Sequence, residues 1–162
     1  MQDRQALLVI DMQSGLLKRN VFNKQMLISN VNDLLALFNR HNMPIFLIRH
    51  TNDTFSKSNT DEWQICDELF ISDEYVFIDK THSSVFKEKQ FISLLKDKGI
   101  TSVVIVGLVS NGCVQAACLD AKNLGFSVVL ISDGHSTFHK DAENMINKWN
   151  MKLQNEGIQL IS

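Results

Sequence analysis

The stretch TSVVIVGLVSNGCVQAACLDAKNLGFSVVLIS, residues 101–132, decides the fold of this chain. Its two ends, TSVVIVGL (101–108) and FSVVLIS (126–132), are near-continuous apolar runs, which are typical of strands buried on both faces. Between them, VQAACLDAKNLG (114–125) predicts a helix that is closed by its final glycine. A strand, a helix and a second strand in succession predict two parallel strands joined by a right-handed crossover.

The same alternation continues on both sides of this stretch. Further strands are predicted over 6–10, 44–49, 75–79 and 157–161, and further helices over about 22–41, 88–98 and 138–154. Six strands separated by helices predict an α/β fold, a three-layer α/β/α doubly wound sandwich around a six-stranded parallel sheet. The length of 162 residues fits a single domain over 1–162.

Composition and charge exclude several classes of function. The formal net charge is -2, with 16 basic and 18 acidic residues, so we expect no nucleic-acid partner and no membrane partner. The beginning of the chain has no signal-peptide pattern, and no apolar run approaches the roughly 20 residues of a transmembrane helix. Three cysteines without a CxxC pair favour reduced thiols, and together these features predict a cytoplasmic protein.

Polar residues follow three of the predicted strands at their carboxyl ends. Ligands of doubly wound sheets bind at these ends, beside the point where the strand order reverses. Asp11 follows the first strand, Lys80 follows the third, and Cys113 lies where the helix after the fourth strand begins. If the strand order is 3-2-1-4-5-6, Asp11 and Cys113 face one crevice and Lys80 reaches it from the same edge.

These three residue types suit nucleophilic acyl transfer. A helix N-terminus and a nearby ammonium such as that of Lys80 both favour the thiolate of Cys113 over the thiol. A carboxylate such as Asp11 is able to take the thiol proton and return it to a leaving group. Backbone N–H groups around Val109 and Cys113 are placed to hold an oxyanion.

Each residue also has a simpler interpretation. A cysteine in an apolar α/β protein is more often a small buried hydrophobe, an aspartate after a strand often caps a turn, and a loop lysine is often solvated. Cys118 is predicted to lie in the core, whereas exposure is one alternative for Cys66 in its long loop. A redox pair of Cys113 and Cys118 is disfavoured, because residues i and i+5 of a helix point about 140° apart.

Three stretches of the chain resemble the isochorismatase-like cysteine hydrolase superfamily, which includes nicotinamidases and N-carbamoylsarcosine amidases. The stretches are LLVIDMQSGLL (7–17), DKTHSSVF (79–86) and IVGLVSNGCVQAACLDAKNLGFSVVLISDGHSTF (105–138). The resemblance places the catalytic aspartate, lysine and cysteine of that superfamily on Asp11, Lys80 and Cys113. It also implies a cis peptide bond at Leu108–Val109 that orients the oxyanion-hole N–H groups.

The resemblance implies thiolate attack on an amide or similar carbonyl, loss of the amine and hydrolysis of an acyl-enzyme. The leading hypothesis is therefore a metal-independent hydrolase that cleaves a small amide or ureido C–N bond without a cofactor. Alternatives are an isochorismatase-type hydrolase of another small substrate and a catalytically inactive binding module on the same fold. The superfamily usually forms dimers or tetramers, so a homodimer or homotetramer is expected.

The region after the second strand departs from the nicotinamidase pattern, in which an aspartate and closely spaced histidines bind a divalent metal. Here RHTNDTFSKSNTDEWQ (49–64) offers His50 and Asp53, with no second histidine before His82. Two ligands are fewer than a metal site usually needs, so we expect no metal, and His50 is predicted to be a hydrogen-bonded loop residue.

The walls of the substrate pocket are predicted only from closeness in sequence to the catalytic residues and from aromatic character. The polar stretch 50–70 has little periodicity and is predicted to be a long functional loop, which is able to complete the site of a neighbouring subunit. The candidate substrate-binding residues are Gln13, Trp63, His82, Phe86 and Ser110. For Trp63 and Phe86, packing in the core or an oligomer contact is an equal alternative.

Overall fold

The computed structural model describes residues 3–162, which form one six-stranded parallel sheet. Its strands are β1 (Gln5–Ile10), β2 (Ile45–His50), β3 (Val76–Lys80), β4 (Ser102–Leu108), β5 (Ser127–Ser136) and β6 (Gln159–Ile161). The order across the sheet is β3-β2-β1-β4-β5-β6, so the predicted parallel sheet is confirmed. The strand order 3-2-1-4-5-6, which reverses between β1 and β4, is also the one considered from the sequence.

Five α-helices connect the strands in this part of the chain. They are α1 (Ser14–Leu17), α2 (Lys24–Arg40), α3 (Lys89–Asp97), α4 (Gln115–Asn123) and α5 (Ala142–Asn155). The short α1 was not predicted, and α5 begins at Ala142 instead of 138 because β5 continues to Ser136. Within residues 3–162, none of the helices has both the length and the apolar character that crossing a bilayer requires.

The central strands are buried on both faces, which explains their continuous apolar runs. On one face of β1, Ala6, Leu8 and Ile10 belong to a core that also contains apolar side chains of α3, α4 and α5. On the other face, Leu7 and Val9 belong to a second core with α1 and α2. Each fully buried leucine contributes about 1.5–3 kcal/mol, so both layers of helices are held by the strands between them. The three-layer architecture is therefore confirmed.

Close contact between β1 and β4 depends on Gly107. This residue pairs with Ile10, and its φ of 125° lies in the region that favours glycine. A Cβ atom at position 107 would collide with the carbonyl oxygen of Ile10. The absence of a side chain therefore lets the two strands end side by side, with Asp11 after one and Leu108 at the end of the other.

The three cysteines have different surroundings. Cys118 on α4 is fully buried in the core, as predicted. Cys66 is also buried. Its backbone N–H donates to the carbonyl of Met12 at 2.9 Å, and this bond holds the loop against the residues that follow β1. Only 5% of Cys66 is exposed, so exposure of this residue is ruled out as an alternative. Cys113 is the half-buried one.

Candidate active site

Asp11, Lys80 and Cys113 meet at the carboxyl edge of the sheet. Asp11 follows β1 with a φ of 52°, a left-handed conformation that aspartate tolerates better than most residues. Lys80 is the last residue of β3, and its side chain is fully buried. Cys113 lies in a π-type turn, Ser110–Val114, that connects β4 to α4. Since β2 separates β3 from β1, only a long side chain reaches the other two residues from β3.

The ammonium of Lys80 is the centre of the cluster. Among residues 3–162, its Nζ has four acceptors, namely Asp11 Oδ2 at 3.2 Å, His50 Nδ1 at 3.0 Å, the His82 carbonyl at 3.1 Å and Cys113 Sγ at 3.3 Å. An ammonium has three N–H donors, so at least two of these acceptors share one donor. The longest of the four contacts is the one to the sulfur.

The carboxylate of Asp11 is 2% exposed, and its two oxygens differ. Oδ2 accepts from Lys80, whereas Oδ1 has no hydrogen-bond partner among residues 3–162. Burial raises the pKa of the Asp11 carboxyl, and the charge of Lys80 works against that rise. Asp11 is consequently a stronger base than an exposed aspartate, with one oxygen open to a proton.

The surroundings of Cys113 favour the thiol over the thiolate. Burial raises its pKa to about 12, the negative charge of Asp11 adds to the rise, and the charge of Lys80 opposes it. The expectation that the helix N-terminus and the lysine would favour a resting thiolate is therefore corrected. Loss of water around the sulfur, together with a carboxylate beside it, outweighs the ammonium.

His50 belongs to the cluster, although the sequence suggested a loop residue. It is the last residue of β2, and its Nδ1 faces Lys80. Because lysine only donates, Nδ1 accepts and the ring proton lies on Nε2. Burial and the charge of Lys80 lower the pKa of His50, so the ring is neutral at pH 7. The available signal was its place at a strand end, which it shares with Asp11 and Lys80.

Asp11, His50 and Cys113 offer ligand atoms that all lie within 4.8 Å of one another. Carboxylate, imidazole and thiolate are suitable ligands for zinc. However, Lys80 Nζ lies within 3.3 Å of a ligand atom of each of the three, so a positive charge already contacts all of them and would repel a divalent cation. A divalent cation does not fit there while Lys80 is in place. Asp53, the other candidate ligand, is exposed and outside this group.

A cavity of about 210 Å³ opens above the cluster. Its lining is mostly apolar and consists of Asp11, Leu16, Arg19, His50, Phe55, Ser83, Val109, Cys113 and Phe138. Drug-sized ligands occupy cavities of roughly 300–1,000 Å³, so this one suits a smaller molecule. The peptide bond between Leu108 and Val109 is cis, at the position that the resemblance implied, and it leads into the turn that carries Cys113.

The structure places the five predicted substrate-binding residues outside the lining of this cavity. The buried amide of Gln13 donates to the carbonyls of His50 and Trp63 and accepts from the N–H of His50, at 2.8–2.9 Å. Trp63 is buried too, with its Nε1 donating to Thr51 and the guanidinium of Arg49 3.8 Å from its ring centre. Both residues fasten the loop after β2 to the ends of the strands.

Phe86 and His82 also point away from the cavity. Phe86 is 4% exposed and packs in the core, with its ring centre 5.5 Å from that of Phe91. The side chain of His82 is exposed and lies 3.6 Å from Glu88, and only its carbonyl faces Lys80. Closeness in sequence to Lys80 was therefore a poor guide to side-chain direction.

Ser110 is fully buried in a second network, which the sequence did not reveal. The amide of Asn150 on α5 donates to the carbonyl of Ser132, so its oxygen accepts from Nε2 of His135 at 2.8 Å. Nδ1 of His135 then accepts from the hydroxyl of Ser110 at 2.6 Å. We call Ser110, His135 and Asn150 the inner network. It ties the turn that carries Cys113 to β5 and α5.

One known protein family matches almost the whole chain. The model of the isochorismatase domain matches residues 5–161. The chain belongs to the isochorismatase family. This membership supports hydrolase activity and accounts for the three resembling stretches.

Individual relatives agree with the family. The isochorismatase family protein YrdC of Bacillus subtilis is 30% identical over 149 residues, which are 89% of this chain and 80% of YrdC. Nicotinamidase 3 of Arabidopsis thaliana is 26% identical over 158 residues, covering 84% of this chain and 75% of that protein. The ureidoacrylate amidohydrolase RutB of Agrobacterium fabrum is 32% identical over 72 residues, covering 44% and 29%.

Solved structures share the fold. A crystal structure of an isochorismatase family protein matches with a TM-score of 0.91 over 98% of both chains. The sequence identity to that protein is 24%, so this likeness concerns the fold alone. It agrees with the three layers and the strand order described above.

Proposed function

We infer that this protein is a hydrolase that cleaves an amide or ureido C–N bond of a small substrate through a covalent intermediate on Cys113, without a metal. The observation that carries this proposal is the buried Lys80 ammonium, which lies 3.2 Å from the Asp11 carboxylate and 3.3 Å from the Cys113 sulfur beneath a small cavity. The names of two relatives, a nicotinamidase and a ureidoacrylate amidohydrolase, denote hydrolysis of such bonds.

In the first step, the thiol proton of Cys113 moves to Asp11, whose Oδ1 is open to receive it. The sulfur then forms a bond with the substrate carbonyl carbon, and the carbonyl electron pair moves to oxygen. The raised pKa of the Asp11 carboxyl makes its carboxylate a better proton acceptor than an exposed one. Because the raised pKa of Cys113 disfavours a free thiolate, proton transfer is coupled to formation of the C–S bond. Lys80 offsets the negative charge wherever it lies in the cluster.

In the second step, backbone N–H groups of Val109 and Cys113 hold the oxyanion, and the C–N bond breaks. Asp11 returns the proton to the departing amine, which leaves an acyl group on Cys113. Water then attacks the acyl carbon while Asp11 takes one of its protons. Release of the acid restores the thiol and the carboxylate, so protons and electrons balance over the cycle.

The test is Asp11→Asn, with exposed Asp53→Asn as the matched control. Wild-type protein is screened for ammonia release from a panel of small amides and ureido compounds, and the variants are measured on the best substrate. Asp11→Asn should lose about 100-fold or more in turnover, since a general base is gone. Alkylation of Cys113 by iodoacetamide at pH 8 should become faster in the same variant, because a charge that raises the pKa of the thiol is removed.

Asp53→Asn should change neither rate. Wild-type turnover in Asp11→Asn would remove this residue from the mechanism. Alkylation that slows in parallel with turnover would show that Asp11 supports the thiolate instead of suppressing it. Folded wild-type protein that releases ammonia from no member of the panel would contradict the proposed class of substrate.

A further inference from the structure

The mouth of the cavity has a positively charged rim, which we define as Arg19, Phe55 and Phe138. The three residues come from distant segments, namely the turn after α1, the loop after β2 and the segment after β5. The guanidinium carbon of Arg19 lies 5.2 Å from the ring centre of Phe55 and 4.9 Å from that of Phe138. Both distances are within the range of a cation–π contact.

The guanidinium is held in place but has no anionic partner. Among the residues that the structure describes, no carboxylate lies within 4.0 Å of Arg19, whereas its neighbour Lys18 lies 3.6 Å from Glu62. Contact with ring faces leaves the in-plane N–H donors of the guanidinium available, and these donors match the two oxygens of a carboxylate. A guanidinium that is already oriented loses less entropy when such a bond forms.

The balance of charge in the cavity favours an anion. The charges of Asp11 and Lys80 offset each other, the Cys113 thiol is neutral at rest, and His50 is neutral. Of the cavity lining that the structure describes, Arg19 is therefore the one charged group without a partner. Two aromatic side chains beside it, Phe55 and Phe138, are 44% and 36% exposed and so are accessible to a bound molecule.

We propose that the substrate carries a carboxylate, which Arg19 binds at the mouth of the cavity while the scissile carbonyl lies over Cys113. This inference rests on the proposed hydrolase function and adds the chemical class of its substrate, an amide or ureido compound with an acidic group at its other end. Phe55 and Phe138 hold the guanidinium toward the cavity, and their rings cover the apolar part of the molecule.

The first test compares succinamate with succinamide, which differ by a carboxylate in place of a neutral carboxamide, together with their shorter and longer homologues. Wild-type protein should prefer the anionic member in kcat/KM. Arg19→Gln should reduce this preference by about 10–100-fold, the usual effect of a charged hydrogen bond. Lys18→Gln makes the same change of charge one residue away, outside the cavity lining, and should retain the preference.

The second test does not need turnover. Iodoacetate and iodoacetamide both alkylate Cys113 with loss of iodide, but only iodoacetate carries a negative charge. The ratio of their rate constants at Cys113, measured by mass spectrometry, should fall about threefold or more in Arg19→Gln, because a partly screened charge at this range contributes that much. The ratio should not change in Lys18→Gln.

The two tests separate the two proposals. If no amide is hydrolysed but the alkylation ratio depends on Arg19, the anion site stands and the proposed function fails. If amides are hydrolysed with equal preference in wild type and Arg19→Gln, and the alkylation ratio is constant, the anion site is overturned. Equal losses with the anionic and the neutral compound in Arg19→Gln would assign Arg19 a purely structural part, and this result would also overturn the inference.

Discussion

The turn Ser110–Val114 contributes to two clusters of polar side chains, each of which contains a histidine. In the first cluster, the Lys80 ammonium contacts both the Cys113 sulfur and the His50 ring. In the second, the inner network, the hydroxyl of Ser110 is hydrogen-bonded to His135. Cys113 lines a cavity, whereas Ser110 is 0% exposed. The comparison shows that a hydroxyl or thiol beside an imidazole does not by itself identify a nucleophile. Access to a cavity distinguishes the two.

Charge is the second difference between the clusters. The group around Lys80 contains a buried carboxylate and a buried ammonium, so a proton is able to move within it. The members of the inner network are uncharged at pH 7, and burial lowers the pKa of His135. A satisfied network of neutral hydrogen bonds rigidifies the segments that it joins. We therefore infer that the inner network positions the turn that carries Cys113, the proposed nucleophile.

The largest expected effect compares Cys113→Ala with Ser110→Ala. Cys113→Ala should reduce turnover by about 10⁴-fold or more, since the covalent path is lost. Ser110→Ala should lose about tenfold at most but should reduce the free energy of unfolding by about 1–3 kcal/mol, because the buried Nδ1 of His135 loses its donor. Ammonia release and urea unfolding of both variants measure these effects.

This comparison has a clear opposite outcome. Losses of turnover of similar size in both variants, with both proteins folded, would place Ser110 in the chemistry. Substantial turnover in Cys113→Ala would remove the nucleophile from the mechanism.

A smaller effect concerns the pH dependence of stability. The pKa of His135 is lowered in the folded protein, so the unfolded chain takes up a proton first as the pH falls below 6.5. The free energy of unfolding should therefore decrease between pH 6.5 and the folded pKa, by at most about 1.4 kcal/mol per pH unit for this group. His135→Gln should lose that part of the slope, as measured by urea unfolding at several pH values.

Exposed His41, just after α2, provides the control for this prediction. His41→Gln should keep the wild-type slope. His50 also has a lowered pKa, so some slope should persist in His135→Gln. An unchanged slope in His135→Gln would show that the imidazole is not held neutral by its surroundings.

The smallest expected effect is that of a chelator. The cluster around Lys80 has the ligand atoms of a zinc site, and the inner network has none of the carboxylates or thiols that would complete one. Because the Lys80 ammonium contacts all three ligand atoms, treatment with EDTA should leave turnover and the alkylation rate of Cys113 unchanged. Loss of turnover with EDTA and its recovery with zinc would contradict the position assigned to Lys80.

The sheet and the central trio were predictable because their signals are local. Apolar runs identify the strands, and Asp11 and Lys80 come directly after or at the end of such runs. Parallel strands bring their carboxyl ends to one edge, so these residues were predicted to lie near Cys113 if the strand order is 3-2-1-4-5-6. The resting thiol was not predictable, since burial of the sulfur depends on the whole assembled site.

The rim and the inner network were missed because they join segments that are far apart along the chain. Arg19, Phe55 and Phe138 have no common spacing, and only the fold brings them together. His135 and Asn150 look like ordinary residues of a strand and a helix until β5 and α5 lie beside the turn. The sequence of an irregular loop does not predict which way its side chains point. For this reason Trp63 was predicted as a candidate pocket residue, whereas the structure buries it.

Gly107 limits which parts of this protein are able to accept substitutions. A methyl group there would collide with the end of β1, and the ends of β1 and β4, which lead to the proposed base and nucleophile, would separate. The distance that the proton would travel from sulfur to carboxylate thus depends on the backbone at Gly107, which is not itself part of the cavity lining. The rim lies on other segments, so its residues are free to vary and to admit new substrates while the proton path keeps its length.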